Sequence, residues 1–235
     1  MNNRQSEKLT ALVPVRKGSE RVVNKNIRPF ADSSLLELKI SALKKITKID
    51  EIIVNSDCDA MLSIAKNMGV STHKREEHYA SSKVNNSEYF EHIAKNTNSE
   101  NIMYSPVTCP FIKVATYYDT IEKFHTDNEY DSLVTAFPVK HHMWLDGEPT
   151  NYDPENSPNT QNLPNILGIS YGVSIISKKL MIKRRNVVGY NPFLYELNEM
   201  EAVDIDTELE FKFAEFLYKK KVYSPKHPTY GDRFF

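Results

Sequence analysis

Residues 11–26 read ALVPVRKGSERVVNKN, an apolar run followed by a sudden concentration of positive charge. Leu12 to Val15 has the length and composition of a buried strand. Arg16, Lys17, Arg21 and Lys25 then fall within ten residues, with Gly18 and Ser19 among them, Glu20 as the opposing charge and Arg28 shortly after. In an open parallel sheet, a loop that leaves the carboxyl end of a strand is delivered to the crevice where ligands bind. The P-loop pattern fails, because no second glycine follows Gly18 in time, and the dinucleotide pattern G-x-G-x-x-G fails too. What remains is an anion loop: backbone N–H groups around Gly18 and Ser19, with Arg16, Arg21 and Lys25, have the makings of a triphosphate site. A solvated basic turn is the competing reading.

The flanking sequence supplies the sheet. Ser34-Leu-Leu-Glu37 has capping-box spacing and opens a helix with Leu36, Ile40 and Leu43 on one face. Ile52 to Val54 reads as a strand, and Asp57 to Asn67 as a helix that Gly69 ends. A short strand near Val70 to His73 and a helix around Ser87 to Lys95 follow. Ile102 to Ser105 and Ser132 to Phe137 are expected strands, joined by a helix over Val114 to Phe124. Ile166 to Ile176 and Glu201 to Ile205 resume strand character before a final helix from about Glu208 to Lys220. This alternation predicts an α/β fold of three layers around a mostly parallel sheet, one domain over residues 1–235.

Composition limits the partners. With 40% hydrophobic and 26% charged residues and a formal net charge of -1, the chain is an ordinary globular sequence without the cationic excess of a nucleic-acid binder. Cys58 and Cys109 form no disulfide framework or zinc motif, and a reduced compartment is the simpler reading. MNNRQSEKLT has no apolar signal core, and no run approaches membrane-spanning length, so a cytoplasmic protein is expected. Residues 140–164 interrupt the α/β rhythm with Pro, Asn and Asp. Trp144, Tyr152 and Leu163 within them predict an arm or lid that buries something, either over the site or against another subunit.

The stretch AVDIDTELEF, residues 202–211, carries the second candidate site. If it is a strand, Asp204 and Asp206 share a face while Val203 and Ile205 face the core. Thr207 and Glu210 have capping-box spacing, so a helix starts just after the second carboxylate. Two hard oxygen ligands at a strand end suit Mg²⁺, which also takes water and substrate phosphate. Helix-end electrostatics for Asp206 and a lysine partner for Asp204 are the competing reading.

Together these segments resemble the cytidylyltransferases that activate sialic acids and related nonulosonic acids. VPVRKGSERVVNKN is similar to the family signature of Pro-x-Arg, Gly-Ser and a later Lys-Asn. REEHYASSKVNNSEYFEHIA, residues 75–94, resembles its Arg-x-x-x-x-Ala stretch, and VTCPF its Thr-Ser-Pro-Leu. QNLP with YGVSII resembles its Gln-x-x-Pro and Asn-Gly segment, and VDIDTELEF its Asp-x-Asp-Thr-x-x-Asp-Phe. The resemblance implies transfer of CMP from CTP to a 2-keto sugar acid with release of pyrophosphate, a step in lipopolysaccharide or capsule synthesis, on a Rossmann-like nucleotidyltransferase fold that dimerises through an extended arm.

By position, the resemblance places Arg16, Ser19, Lys25 and Asn26 against the CTP phosphates or nucleotide. It puts Arg75, Asn85 and Asn86 around cytosine and ribose, Gln161 on the sugar-acid side, and Asp204 and Asp206 on Mg²⁺. Arg16, Lys25 and Asp206 would then carry catalysis. The chain departs from the pattern at Glu20, at Thr160 where an arginine precedes the glutamine, and at Thr108-Cys109-Pro110-Phe111-Ile112-Lys113. Lys113, Lys140, His141 or His142 would have to replace the missing acceptor-side cation. A nucleotidyltransferase for another small acid, alcohol or phosphorylated acceptor, and a silent homologue, are the alternatives.

Overall fold

The computed structural model describes residues 7–18, 21–81 and 83–222, with side chains as far as 220. Strand β1 (Leu9–Pro14) is buried along its length and feeds the basic loop. A ribbon of β2 (Pro29–Phe30) and β3 (Ser33–Ser34) leads into α1 (Leu35–Leu43), where the Ser34 side chain accepts from the Glu37 N–H as the sequence predicts. Next come β4 (Glu51–Ser56), α2 (Asp59–Asn67) and β5 (Ser71–Lys74). After the one-turn α3 (Glu77–Ala80) the chain continues through α4 (Asn86–Lys95), β6 (Asn101–Tyr104), α5 (Val114–Thr126) and β7 (Ser132–Val139). A small hairpin, β8 (Trp144–Leu145) and β9 (Glu148–Pro149), precedes β10 (Ile166–Ser177), α6 (Lys178–Arg184), β11 (Pro192–Glu196) and α7 (Glu208–Val222).

Seven strands form the main sheet in the order β11-β7-β10-β6-β1-β4-β5. All run parallel except β10, which is antiparallel to both neighbours. Period-2 alternation divides β1 between two cores: Leu9, Ala11 and Val13 pack with α1, α2, α5 and α7, whereas Leu12 packs with α4 and α6. This is the expected three-layer arrangement. Because β4 lies on one side of β1 and β6 on the other, the sheet changes winding direction beside β1, and its carboxyl end opens into a crevice. No helix among the described residues is long and apolar enough to cross a membrane.

One expectation needs correction. Glu201 to Ile205 is not a strand. Glu201 is drawn into the interior by Thr116, Asn198 and the Lys113 N–H, and the Ala202 and Val203 N–H groups turn back to Asn198 and Met200. The seventh strand is β11 instead, and α6 is an additional helix. Within residues 140–164, Asp146 and Gly147, with φ of 51° and 88°, make the two-residue turn between β8 and β9. An Asp-Gly pair is the strongest short hairpin signal because both positions need positive φ, so this turn was legible in the sequence.

The remainder of the arm is tied down locally. Leu163 is buried, and Asn151 bridges the Met143 N–H and the His141 carbonyl. Trp144 donates to the Tyr152 hydroxyl at 2.9 Å, yet remains 57% exposed beside Leu145 at 65%.

Candidate active site at the carboxyl edge of the sheet

Two adjoining cavities occupy the crevice and share Pro14, Val15, Arg16 and Pro106. The first, about 350 Å³, is also lined by Arg21, Lys25, Asn26, Val107, Thr108 and Asp206. The second, about 390 Å³, is walled by Arg75, Tyr79, Val84, Asn86, Tyr89 and Tyr104. A larger cavity of about 450 Å³ lies at the amino end of the strands around Glu7, Lys8, Asp50 and His125, far from this loop. Lys48 and Glu122 pair with each other there, and nothing about it matches the anion chemistry of the crevice.

The basic loop is built around Lys25. It is buried, and its ammonium donates to the Ile205 carbonyl at 2.5 Å and meets Asp206 Oδ1 at 3.4 Å. Arg21, on an exposed side chain, reaches the same carboxylate oxygen at 2.9 Å. Asn26 is a buried strut: its Nδ2 donates to the Arg16 carbonyl at 3.0 Å, bending the loop back on itself. Arg16 lies between the cavities, and its Nη1 donates to the Ala80 carbonyl at 3.2 Å. Gly18 is exposed beside this cluster, with open space where a Cβ would be; Ser19 lies outside the described residues. Arg28 belongs to a different job, since it makes a two-pronged pair with Glu208 at 2.7 and 2.8 Å and lies over Phe211, fastening α7 to the loop.

The carboxylates divide. Asp206 lines the loop cavity with its side chain 45% exposed, and its backbone is pinned by Glu210, which accepts from the Asp206 and Thr207 N–H groups. Asp204 is exposed, is not among the lining residues, and lies against Cys109; burial, reinforced by that carboxylate, pushes the Cys109 thiol up to about 12. The shared strand face expected for the two aspartates is therefore absent, because no strand forms there. One exposed carboxylate facing a phosphate-sized cavity still fits Mg²⁺, which commonly takes one or two protein carboxylates and fills its shell with water and phosphate. Among the described residues no group of three or more His, Cys, Asp or Glu could hold a metal alone.

The second cavity rests on Asn55, a buried residue with no sequence motif to advertise it. Its Oδ1 accepts from Arg75 Nε at 2.7 Å and from the Tyr89 hydroxyl at 2.8 Å. Its Nδ2 must then face His73 Nδ1, 2.6 Å away, which accepts. Arg75 also donates to the Asn55 carbonyl and the Tyr89 hydroxyl and lies 4.3 Å over the Tyr89 ring. Burial pushes the Tyr89 phenol up to about 12 and Tyr104 higher still, so both stay neutral. Two flat, uncharged phenols and a fixed guanidinium make a wall for a planar polar base.

Asn86 lines this cavity, but Asn85 does not: it caps α4, accepting from the Glu88 N–H at 2.9 Å. Lys113 and Gln161 are not gathered at the crevice either. The Lys113 ammonium lies 3.9 Å from Glu201, at the start of α5, and Gln161 is exposed on the arm. Lys140 donates to the Leu163 carbonyl and His142 engages Pro158, so both serve the arm.

Histidines brace the cavity from behind. His92 stacks on Tyr79 at 3.7 Å, and burial lowers the proton affinity of His92 and of His73, helped at His73 by the Arg75 charge. Glu76 opposes the shift at both, and His78 adds to it at His92. A histidine whose folded pKa lies below its unfolded 6.5 leaves the unfolded chain holding more protons in the window between the two values. Stability is therefore full above the unfolded value and is lost as pH falls through that window. Melting temperature is expected to drop between about pH 7 and pH 5, and His73→Gln should flatten the profile. An unchanged slope in the variant would assign the pH dependence to other groups.

The basic loop and the aromatic wall set fixed cations beside a flat polar surface in one crevice. The model of the Cytidylyltransferase family matches residues 10–151, more than half of the chain. The chain belongs to the cytidylyltransferase family. The matched span carries this cytidylyltransferase's basic loop, Asn55, Arg75 and α4. Among similar proteins, post-translational flagellin modification protein B of Campylobacter coli is 27% identical over 226 residues, covering 88% of this chain and 93% of the relative. CMP-N,N'-diacetyllegionaminic acid synthase of Campylobacter jejuni is 24% identical over 229 residues, covering 90% and 95%. The fold is also that of a CMP:2-keto-3-deoxy-manno-octonic acid synthetase solved with CTP, at a TM-score of 0.70 and 10% identity, covering 91% of this chain and 99% of that one.

Proposed function

We propose that this cytidylyltransferase transfers CMP from CTP to a nonulosonic, sialic-acid-like 2-keto sugar acid, for surface-glycan synthesis. The observation that carries the reading is the continuity of a cation-lined cavity with an aromatic one through Arg16. Cytosine and ribose lie against Tyr89, Tyr104, Arg75 and Asn86, and the phosphates extend past Arg16 toward Arg21 and Lys25. The acceptor oxygen bonds to the α-phosphorus as the bond to the β-phosphate breaks, and pyrophosphate leaves. Negative charge grows on phosphate oxygens during that displacement, where fixed cations are most effective. Asp206 would hold Mg²⁺, which when bound neutralises phosphate charge and acidifies the acceptor hydroxyl.

The choice of a nonulosonic acid is supported by the names of the similar proteins, two of which are a legionaminic acid synthase and an N-acylneuraminate cytidylyltransferase of Escherichia coli. Positions of Lys113 and Gln161 away from the crevice favour a second reading in which the acceptor is another small acid or alcohol. Pyrophosphate release with CTP, Mg²⁺ and a panel of acceptors tests both: turnover should be confined to nonulosonic acids, and turnover with other acceptors alone selects the second. CTP as donor and two unbridged cysteines support a cytoplasmic setting. The exposed Met143, Trp144 and Leu145 support a homodimer in which a second copy covers the arm, with residues 1–235 acting as one unit. A dimer is expected at micromolar concentration in sedimentation, and Trp144→Ala should shift it toward monomer; a wild-type monomer defeats the idea.

A further inference from the structure

We propose that Lys39 is a positioning residue for the nucleotide site, its buried ammonium holding the loop after β6 in the shape that carries Asp206. Lys39 projects from α1 into the interior, 3% exposed, among fully buried Leu36, Ile40 and Leu43. Its three N–H groups have three acceptors: the Tyr117 hydroxyl at 2.7 Å, the Cys109 carbonyl at 3.2 Å and Ser105 Oγ at 3.3 Å. None of the ion pairs among the described residues includes it. A buried ammonium satisfied by neutral acceptors still carries its desolvation penalty, and an apolar side chain of the same length at such a site is commonly neutral or stabilising. Stability does not account for this lysine.

Its contacts supply another reason. Ser105 and Cys109 bracket Pro106, Val107 and Thr108, which line the loop cavity. The Thr108 carbonyl accepts from the Ile205 N–H at 3.0 Å, and the Ile205 carbonyl accepts from Lys25. A continuous set of hydrogen bonds thus runs from Lys39 through the 105–109 loop to Lys25 and the residue preceding Asp206. Ser105 Oγ also donates to the Gly172 carbonyl and Cys109 Sγ to the Ser170 carbonyl, so the same loop is seated on the irregular part of β10. With the 201–206 segment lacking a strand of its own, this loop joins Lys25 and Glu210 in fixing its height over the crevice.

The inference rests on the nucleotide reading of the crevice, and its test separates the two. Lys39→Met keeps length and removes charge. Its melting temperature is expected to equal or exceed that of wild type, its Mg-CTP affinity by calorimetry to fall about tenfold, and amide exchange at 107–109 and 205 to accelerate about tenfold while α1 and β1 amides are unchanged. A wild-type protein that does not bind CTP defeats the nucleotide reading, and the exchange pattern then decides the role of Lys39 alone. Wild-type exchange at 107–109 in the variant overturns the proposal. So does a lowered melt with faster exchange spread through α1 and α5, which marks a packing residue. If Lys39→Met does not fold, Tyr117→Phe removes one acceptor at constant volume and should accelerate exchange at the same amides about threefold. No change there overturns the proposal equally.

Discussion

Lys25→Met is expected to lower turnover about a hundredfold and to weaken CTP binding by at least about tenfold, with only a modest loss of stability. The ammonium makes two kinds of contact that methionine cannot. It donates to the Ile205 carbonyl, which keeps the segment before α7 at the cavity wall, and it faces the cavity beside Asp206. A charge-assisted hydrogen bond contributes about 1.5–3 kcal/mol, roughly ten- to a hundredfold in binding or rate, and under the proposed reading one residue would both contact phosphate and orient its neighbours. Arg16→Ala should follow the same direction with a smaller effect on stability, since its guanidinium is held by a hydrogen bond to the Ala80 carbonyl. Calorimetry and pyrophosphate-release rates measure the two terms separately. A Lys25→Met protein that binds and turns over CTP normally would remove the loop from the phosphate site.

Asp206→Asn should preserve the fold and abolish most activity. Its side chain is half in solvent, so its pairs with Arg21 and Lys25 contribute at most about 1 kcal/mol to stability. The helix start is untouched, because Thr207 and Glu210 cap α7 through their own side chains and the Asp206 N–H is held by Glu210. Turnover is expected to fall about a hundredfold or more and the Mg²⁺ requirement to rise, since an amide is a weaker ligand for a hard cation and leaves two cations unbalanced. Asp204→Asn, at a residue outside the cavity lining, should have the smaller effect. A Mg²⁺ titration of both variants beside thermal melts decides the matter: if Asp206→Asn melts slightly earlier yet works with unchanged metal dependence, its role is confined to the helix end.

Where local chemistry decides an outcome, the sequence was sufficient. Both capping boxes formed at Ser34 and Thr207, because a side chain and an N–H three residues apart need no distant partner. The apolar run from Leu12 to Val15 marked a buried strand, which is found over Leu9–Pro14, and the basic residues after it could be placed at a strand end. The Asp146-Gly147 turn was equally local and was available to be read.

What the sequence alone could not determine were facts that depend on which distant groups meet. VDIDT has strand alternation, yet the inward pull on Glu201 from Thr116 and Asn198 bends the chain and separates Asp204 from Asp206. Lys113 is spent on that same glutamate, and Asn85 on a helix cap, so residues aligned with a site by order are removed from it by packing. Asn55 and Lys39 acquire meaning only through partners 18 to 78 residues away, Asn55 by joining Arg75, Tyr89 and His73, and Lys39 by reaching Ser105, Cys109 and Tyr117. Periodicity and capping act within a few residues and are written in the chain; satisfying a buried polar group is a problem of three-dimensional supply, and only the folded sheet and its loops bring the partners together.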